Sequence, residues 1–296
     1  MEQKTVSLQL TPNEAKNIKN ILTEKGWKEE YVDNEYVGLR MKSDSGSVCT
    51  VYTSMKVVFQ GKEDFAEMVK QIKEILSTKL TPHLGVDEVG KGDYFGPLVV
   101  VACFVNANFL SKVSSLGIAD SKKFSDSSIR RIYAEIKDYG EYYVSMVSPE
   151  EYNRDYTKIK NVSILLAKQH SKVIEMGLED LKKKGIECKQ VVIDQFSSKK
   201  SRVVDELGPL GKGIEFIQFH KGESDVAVAS ASILARGIFL EEKDRMNKEY
   251  YFDFPKGASN VIPQAKEFVK THGSKELNKV AKISFKTTAK VLQSSF

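Results

Sequence analysis

The chain has 296 residues, 41% of them hydrophobic and 29% charged, with a net charge of +5 and a sequence pI near 8.8. That length suits two domains better than one small core, and the composition, ordinary for a soluble globular protein, favours neither a disordered chain nor a membrane protein. The longest uninterrupted apolar run, Leu98–Val105, is far short of a bilayer span. The small positive excess permits a polyanionic partner without requiring one.

The start, Met1-Glu2-Gln3-Lys4, has no apolar run behind it and does not read as a secretory signal. Cys49, Cys103 and Cys188 are scattered, without zinc spacing or a disulfide pattern. A reducing cytoplasm is expected.

Residues Thr5–Leu10 alternate with Val6, Leu8 and Leu10 on one face, predicting a half-buried strand. Thr11-Pro12-Asn13-Glu14 then predicts a helix start, with threonine as N-cap, proline in the first turn and glutamate closing a capping box. Gly26 predicts its end. Tyr36–Met41, Val48–Ser54 and Lys56–Gln60 predict strands, the first two joined as a hairpin through Ser43-Asp44-Ser45-Gly46. A helix over about Glu63 to Ser77 follows. The order describes a small α+β unit, an antiparallel sheet with helices on one side. Ser77–His83 reads as a linker, so the domains expected are 1–78 and 79–296.

Beyond the linker, strands are predicted at His83–Val89 and Leu98–Val105, with Gly90-Lys91-Gly92-Asp93-Tyr94-Phe95-Gly96-Pro97 as the turn between them. Further strands are predicted at Glu141–Val147, Lys189–Asp194 and Ile214–His220. Helices are predicted at about Ser127–Lys137, Val162–Lys184 and Asp225–Lys248, and in a basic tail from about Pro263. Ala227, Ala229, Ser230, Ala231 and Ser232 would let the third of these helices pack closely.

Candidate chemistry lies at strand ends. Asp87 and Glu88 are neighbours on a strand, so their side chains should point to opposite faces unless the turn has begun at Glu88. Asp194 ends an apolar strand, where ligands collect in α/β sheets. Glu223 or Asp225 would add a fourth acid, and either would equally serve to cap the following helix. If the acids converge, hard oxygen donors favour Mg²⁺ or Mn²⁺ over zinc, and two such ions would clamp an in-line phosphoryl displacement. On spacing alone, a lysine or a helix N-terminus would satisfy Asp194 as well. His83, His170, His220 and His272 show no paired spacing and read as structural or exposed.

Gly90-Lys91-Gly92 is too short for a nucleotide-binding phosphate loop. Its amides suit a sugar-phosphate backbone and the 2′-hydroxyl that separates RNA from DNA. A plain hairpin turn is the alternative. Ser121-Lys122-Lys123, just before a helix, would suit a phosphate or simply face water.

Taken together, Gly85 to Pro97, Asp120-Ser121-Lys122-Lys123, Ile193-Asp194, Lys221-Gly222-Glu223, Ala231 to Arg236 and Pro255 to Ser259 resemble the type 2 ribonucleases H, and among them ribonuclease HIII. They occur in family order over about residues 80–296. Gly-Lys-Gly where ribonuclease HII has Gly-Arg-Gly, and an N-terminal unit with Val57-Val58-Phe59-Gln60-Gly61 similar to a TATA-binding-protein-like domain, favour HIII. The resemblance implies a ribonuclease H-like fold with a mixed sheet and flanking helices. It also implies endonucleolytic hydrolysis of the RNA strand of RNA–DNA hybrids with Mg²⁺ or Mn²⁺, leaving 5′-phosphate and 3′-hydroxyl ends.

Carried over residue by residue, the resemblance assigns metal binding and catalysis to Asp87, Glu88, Asp194 and Glu223, choosing Glu223 over Asp225. It assigns ribose reading to Gly90, Lys91 and Gly92, and phosphate contact to Ser121 and Lys122. Ser284 stands where the family usually shows histidine, so no catalytic role is expected of it. A monomer with no membrane contact is expected. The competing readings are an HII-like enzyme acting at single embedded ribonucleotides and a non-catalytic nucleic-acid-binding protein.

Overall fold

The computed structural model describes residues 4–78, 80–113, 116–118, 124–194, 201–219 and 222–293. The first unit comprises β1 (Lys4–Gln9), α1 (Pro12–Glu24), β2 (Lys28–Glu29), β3 (Val37–Lys42), β4 (Val48–Tyr52), β5 (Lys56–Gly61) and α2 (Phe65–Thr78). Its five antiparallel strands run β1-β5-β4-β3-β2.

The capping box forms as expected: Glu14 N–H donates to the Thr11 hydroxyl at 3.2 Å, and Thr11 N–H to the Glu14 carboxylate at 2.7 Å. The predicted hairpin also forms, with Lys42 opposite Val48 and Gly46 at φ +86° in the turn. The two-residue β2 was not expected; it is too short to carry a readable alternation. Leu8, Met41, Cys49, Val57 and Phe59 face α1 and α2, packing on Ile18, Leu22, Phe65 and Ile72. The residues between them, including Lys42, Lys56 and Gln60, face out and are exposed.

The second unit begins with β6 (His83–Val89), β7 (Leu98–Val105), α3 (Ala107–Val113), α4 (Asp126–Ile136), β8 (Tyr142–Val147), α5 (Pro149–Ile159) and α6 (Val162–Lys183). It continues with β9 (Gln190–Asp194), α7 (Ser201–Glu206), α8 (Pro209–Lys212), β10 (Glu215–Phe219), a 3₁₀ turn at Gly222–Ser224 and α9 (Val226–Tyr250). The tail holds α10 (Ile262–His272), α11 (Leu277–Val280) and α12 (Lys286–Leu292).

The sheet order is β10-β9-β6-β7-β8, with β6, β9 and β10 parallel and β7 antiparallel to both of its neighbours, β6 and β8, the mixed sheet expected. All eight residues of β7 are buried because helices cover both faces. Leu84, Val86 and Val100 pack on Leu166 and Ile174 of α6. Val99 and Val101 pack with Ala231 and Leu234 of α9 and Ile129 of α4 on the other face.

The small residues of α9 do permit close approach. A Cβ on Gly85 of β6 would lie 2.2 Å from the backbone of Ala227 and Val228. Helix α5 was missed, although Ser148 and Glu151 form its capping box and Pro149 stands in its first turn.

Candidate active site

The acids gather at one end of the second sheet because the strands that carry them are parallel neighbours. Val86 of β6 is opposite Ile193 of β9, so the next residues, Asp87 and Asp194, end up side by side. Both belong to the α9 face by alternation, since Val86 and Ile193 face α6. Asp87 accepts a hydrogen bond from Ser232 of α9. Burial, together with the charges of Glu88 and Asp194, pushes the Asp87 carboxyl up to about 7, against the pull of Ser232.

Glu88 points the other way, as expected for a strand that continues to Val89. One carboxylate oxygen is 3.0 Å from His170 Nε2 on α6, and the other accepts from Lys91 Nζ at 2.7 Å. Burial alone would raise this carboxyl, but the His170 hydrogen bond and charge, with Lys91, outweigh it and hold the group at about 2. Two adjacent acids are thereby driven to opposite behaviour by the faces they occupy.

Asp194 Oδ1 accepts from Gly222 N–H at 3.1 Å. A Cβ at residue 222 would lie 2.7 Å from the Asp194 Cα and 2.8 Å from its backbone nitrogen. Only glycine lets the 3₁₀ turn press onto the end of β9, and this brings the backbone of Glu223 to the acid pair. The Glu223 side chain lies outside the described residues, as do Ser121 and Lys122. Among the described side chains, no group of three or more His, Cys, Asp or Glu is set to hold a metal ion.

Asp225, the alternative fourth acid, is occupied elsewhere. It caps α9, accepting from Ala227 N–H at 2.9 Å and Val228 N–H at 3.1 Å, and both its oxygens lie 3.0 Å from His83 Nε2.

The Gly90–Pro97 turn is a built structure rather than a slack hairpin. Gly90 has φ +89°, and a Cβ there would sit 2.2 Å from the Pro97 carbonyl oxygen. Gly92 faces open space, with nothing within 4 Å of a Cβ.

Two residues were missed in the sequence. His170, expected to be structural or exposed, is buried, and its contact with Glu88 was not foreseen. The available signal was a histidine on the stripe Leu166, His170, Val173, Ile174 and Gly177, which is otherwise free of titratable groups. Lys282, one of the basic residues of the tail and assigned no role by the sequence, is fully buried beneath the turn. Ser284 takes a structural part in a hydrogen bond with Tyr152.

A family model described as Ribonuclease HII matches residues 84–288. The chain is 39% identical over 263 residues to Ribonuclease HIII of Protochlamydia amoebophila (strain UWE25), covering 84% of this chain and 85% of the relative. It is 35% identical over 290 residues to Ribonuclease HIII of Chlamydia pneumoniae, covering 94% and 95%. Among solved structures it resembles Bst-RNase HIII in complex with Mn²⁺, with a TM-score of 0.71, 27% identity and 98% coverage of both chains. Aquifex aeolicus RNase H3 matches with a TM-score of 0.55 and 28% identity over 95% of this chain and all of that one. The paired strand-end acids, the mixed sheet behind them and the antiparallel N-terminal unit are thus the parts of a known enzyme class: the chain belongs to the ribonuclease HII family, in its ribonuclease HIII branch, endonucleases that cut the RNA strand of RNA–DNA hybrids.

Proposed function

We propose that the RNA strand is cut where Asp87 and Asp194 lie side by side, with Glu88 and Glu223 completing a four-carboxylate site for Mg²⁺ or Mn²⁺. The observation that carries this reading is the place of Asp87 and Asp194, each one residue past the paired Val86 and Ile193 on adjacent parallel strands, with Gly222 pressed against Asp194. The donors fit a hard divalent cation: they are carboxylate oxygens, and burial together with the neighbouring charges of Glu88 and Asp194 pushes Asp87 up to about 7, a cost that a cation relieves. When bound, such ions activate water and stabilise the leaving oxygen.

The chain's own residues do the rest. Gly222 N–H orients Asp194, and His170 and Lys91 keep Glu88 ionised. Gly90, Lys91 and Gly92 meet the ribose and its 2′-hydroxyl, with Ser121 and Lys122 on nearby phosphates. Products carry 5′-phosphate and 3′-hydroxyl ends.

Residues 1–78 form a gripping domain and residues 79–296 the catalytic domain. In support, the outer sheet face of the first unit exposes Lys42 on β3 and Lys56 on β5, on either side of β4 and towards opposite ends of the sheet. The protein acts in the cytoplasm as a monomer; no helix among the described residues is long and apolar enough to cross a membrane.

The test is Asp87→Asn. Hybrid binding without added divalent metal should persist while cleavage falls by more than about a hundredfold. Full cleavage by this variant would overturn the assignment.

A further inference from the structure

We infer that Lys282 is a positioning residue for the Gly90–Gly92 turn, fixing from beneath the backbone that meets the ribose. The inference rests on the ribose-reading role proposed for that turn. Lys282 is fully buried, and its Nζ donates to the carbonyl oxygens of Asp93 at 3.0 Å and Gly96 at 2.5 Å. Its own N–H donates to the Tyr94 carbonyl at 2.8 Å, and Gly96 N–H returns a bond to the Val280 carbonyl at 3.0 Å. One side chain thus ties two peptide planes, three residues apart, at the inner end of the turn.

The lysine is itself immobilised. Asn153 of α5 donates to the Ala281 carbonyl at 2.8 Å and accepts from Ile283 N–H at 2.9 Å, bracketing residue 282 on both sides. Nζ stands 5.8 Å from the centre of the Tyr152 ring, on the same helix. The turn has a second anchor, as Tyr94 N–H donates to the Gly257 carbonyl and Gly257 N–H to Asp93 Oδ1.

An apolar side chain would fill the same volume at less desolvation cost. What it lacks is hydrogen for the inward carbonyls of Asp93 and Gly96. An amine serves both, charged or neutral, and burial does push the Lys282 ammonium down to about 7. With Asp93 and Gly96 pinned, and Gly90 packed on the Pro97 carbonyl, Gly90–Gly92 is presented preformed, and substrate need not order it.

The experiment compares Lys282→Met with the unaltered full-length chain. Two binding constants are measured without divalent metal, for an RNA–DNA hybrid and for an all-DNA duplex of the same sequence. Hydrogen exchange is followed by segment, and KM and kcat are measured on the hybrid. The expected result is a preference for hybrid over DNA reduced about tenfold, a raised KM with a smaller change in kcat, and faster exchange confined to residues 90–97. Unchanged preference with unchanged exchange in that segment would overturn the inference.

If Lys282→Met does not fold, Lys282→Gln replaces it; its amide falls about 1.5 Å short of the lysine nitrogen. Part of the preference should then be lost, and full preference would overturn the proposal. Gly92→Ala, where a Cβ meets nothing, separates the two ideas. If that variant keeps full hybrid preference, the ribose-reading role itself fails. If it loses preference while Lys282→Met does not, only the positioning role of Lys282 fails.

Discussion

The two sheets of this protein solve opposite problems with the same number of strands. In the first, helices cover one face only, so its strands alternate between buried and exposed residues and leave a polar outer surface. In the second, helices cover both faces, and β7 has no exposed residue at all. A sheet with one wet face can lie along a polymer. A sheet buried on both faces offers only its strand ends, and that is where Asp87, Glu88 and Asp194 stand. The proposed division of labour, gripping by the first sheet and cleavage at the strand ends of the second, rests on that difference.

The comparison is sharpened most by disturbing the strand-end site through a residue behind it. His170→Leu removes the partner of Glu88 and leaves a buried carboxylate short of one hydrogen bond. Cleavage should fall about 10–100-fold, as it does when groups supporting a ligand are removed. Loss of activity on acidification should also begin at higher pH, because His170 helps keep the Glu88 carboxyl low. A pH–rate profile matching that of the unaltered chain would show that the histidine is only packing.

A smaller effect is expected at the wet face of the first sheet. Lys42→Ala with Lys56→Ala should weaken hybrid binding several-fold and make the logarithmic salt slope shallower by about one for each phosphate no longer neutralised. The rate of the chemical step at saturating hybrid should not change. A salt slope identical to that of the parent would remove the outer face from the substrate path.

The smallest effect concerns stability, where α1 of the first unit approaches the second. Burial disfavours the charged form of His83, but the Asp225 charge and hydrogen bond, with the Thr81 carbonyl and Glu14, outweigh it and raise its pKa above 6.5. A histidine with a raised folded pKa stabilises fully below its unfolded value, about pH 6.5, and loses that contribution as pH rises through the folded value. Glu14 acts in the same direction. Burial outweighs its Thr11 bonds and raises its carboxyl, so the fold loses stability as pH rises above about 4.5 toward the raised value. His83→Gln should therefore flatten the decline of melting temperature between mildly acidic and alkaline pH. An unaltered decline would assign it to other groups.

Much of the architecture could be read from local signals. The Thr11 capping box, the alternation in β1 and the Gly46 turn each act within a few residues, and each formed where expected. The bounds of β6 and β7 were legible because Pro82 and the glycine-punctuated turn Gly90–Pro97 delimit them, and β7 is an unbroken apolar run. Helix α5 was equally signalled by Ser148-Pro149-Glu150-Glu151 but went unread.

The sequence by itself determined which carboxylates sit at strand ends, and the motif around Asp87 marked the family. What it could not determine was which charge meets which. His170 lies 82 positions from Glu88, Asp225 lies 142 from His83, and Lys282 lies 186 from Gly96. These pairings follow from strand order and helix placement, because a buried charged or polar group takes whatever partner the fold brings within hydrogen-bond reach. The same physics separates Asp87 from Glu88. They are adjacent in the chain, but the pleat turns one toward α9 and the other toward α6, and only the tertiary structure decided that the first would be pushed up and the second held down.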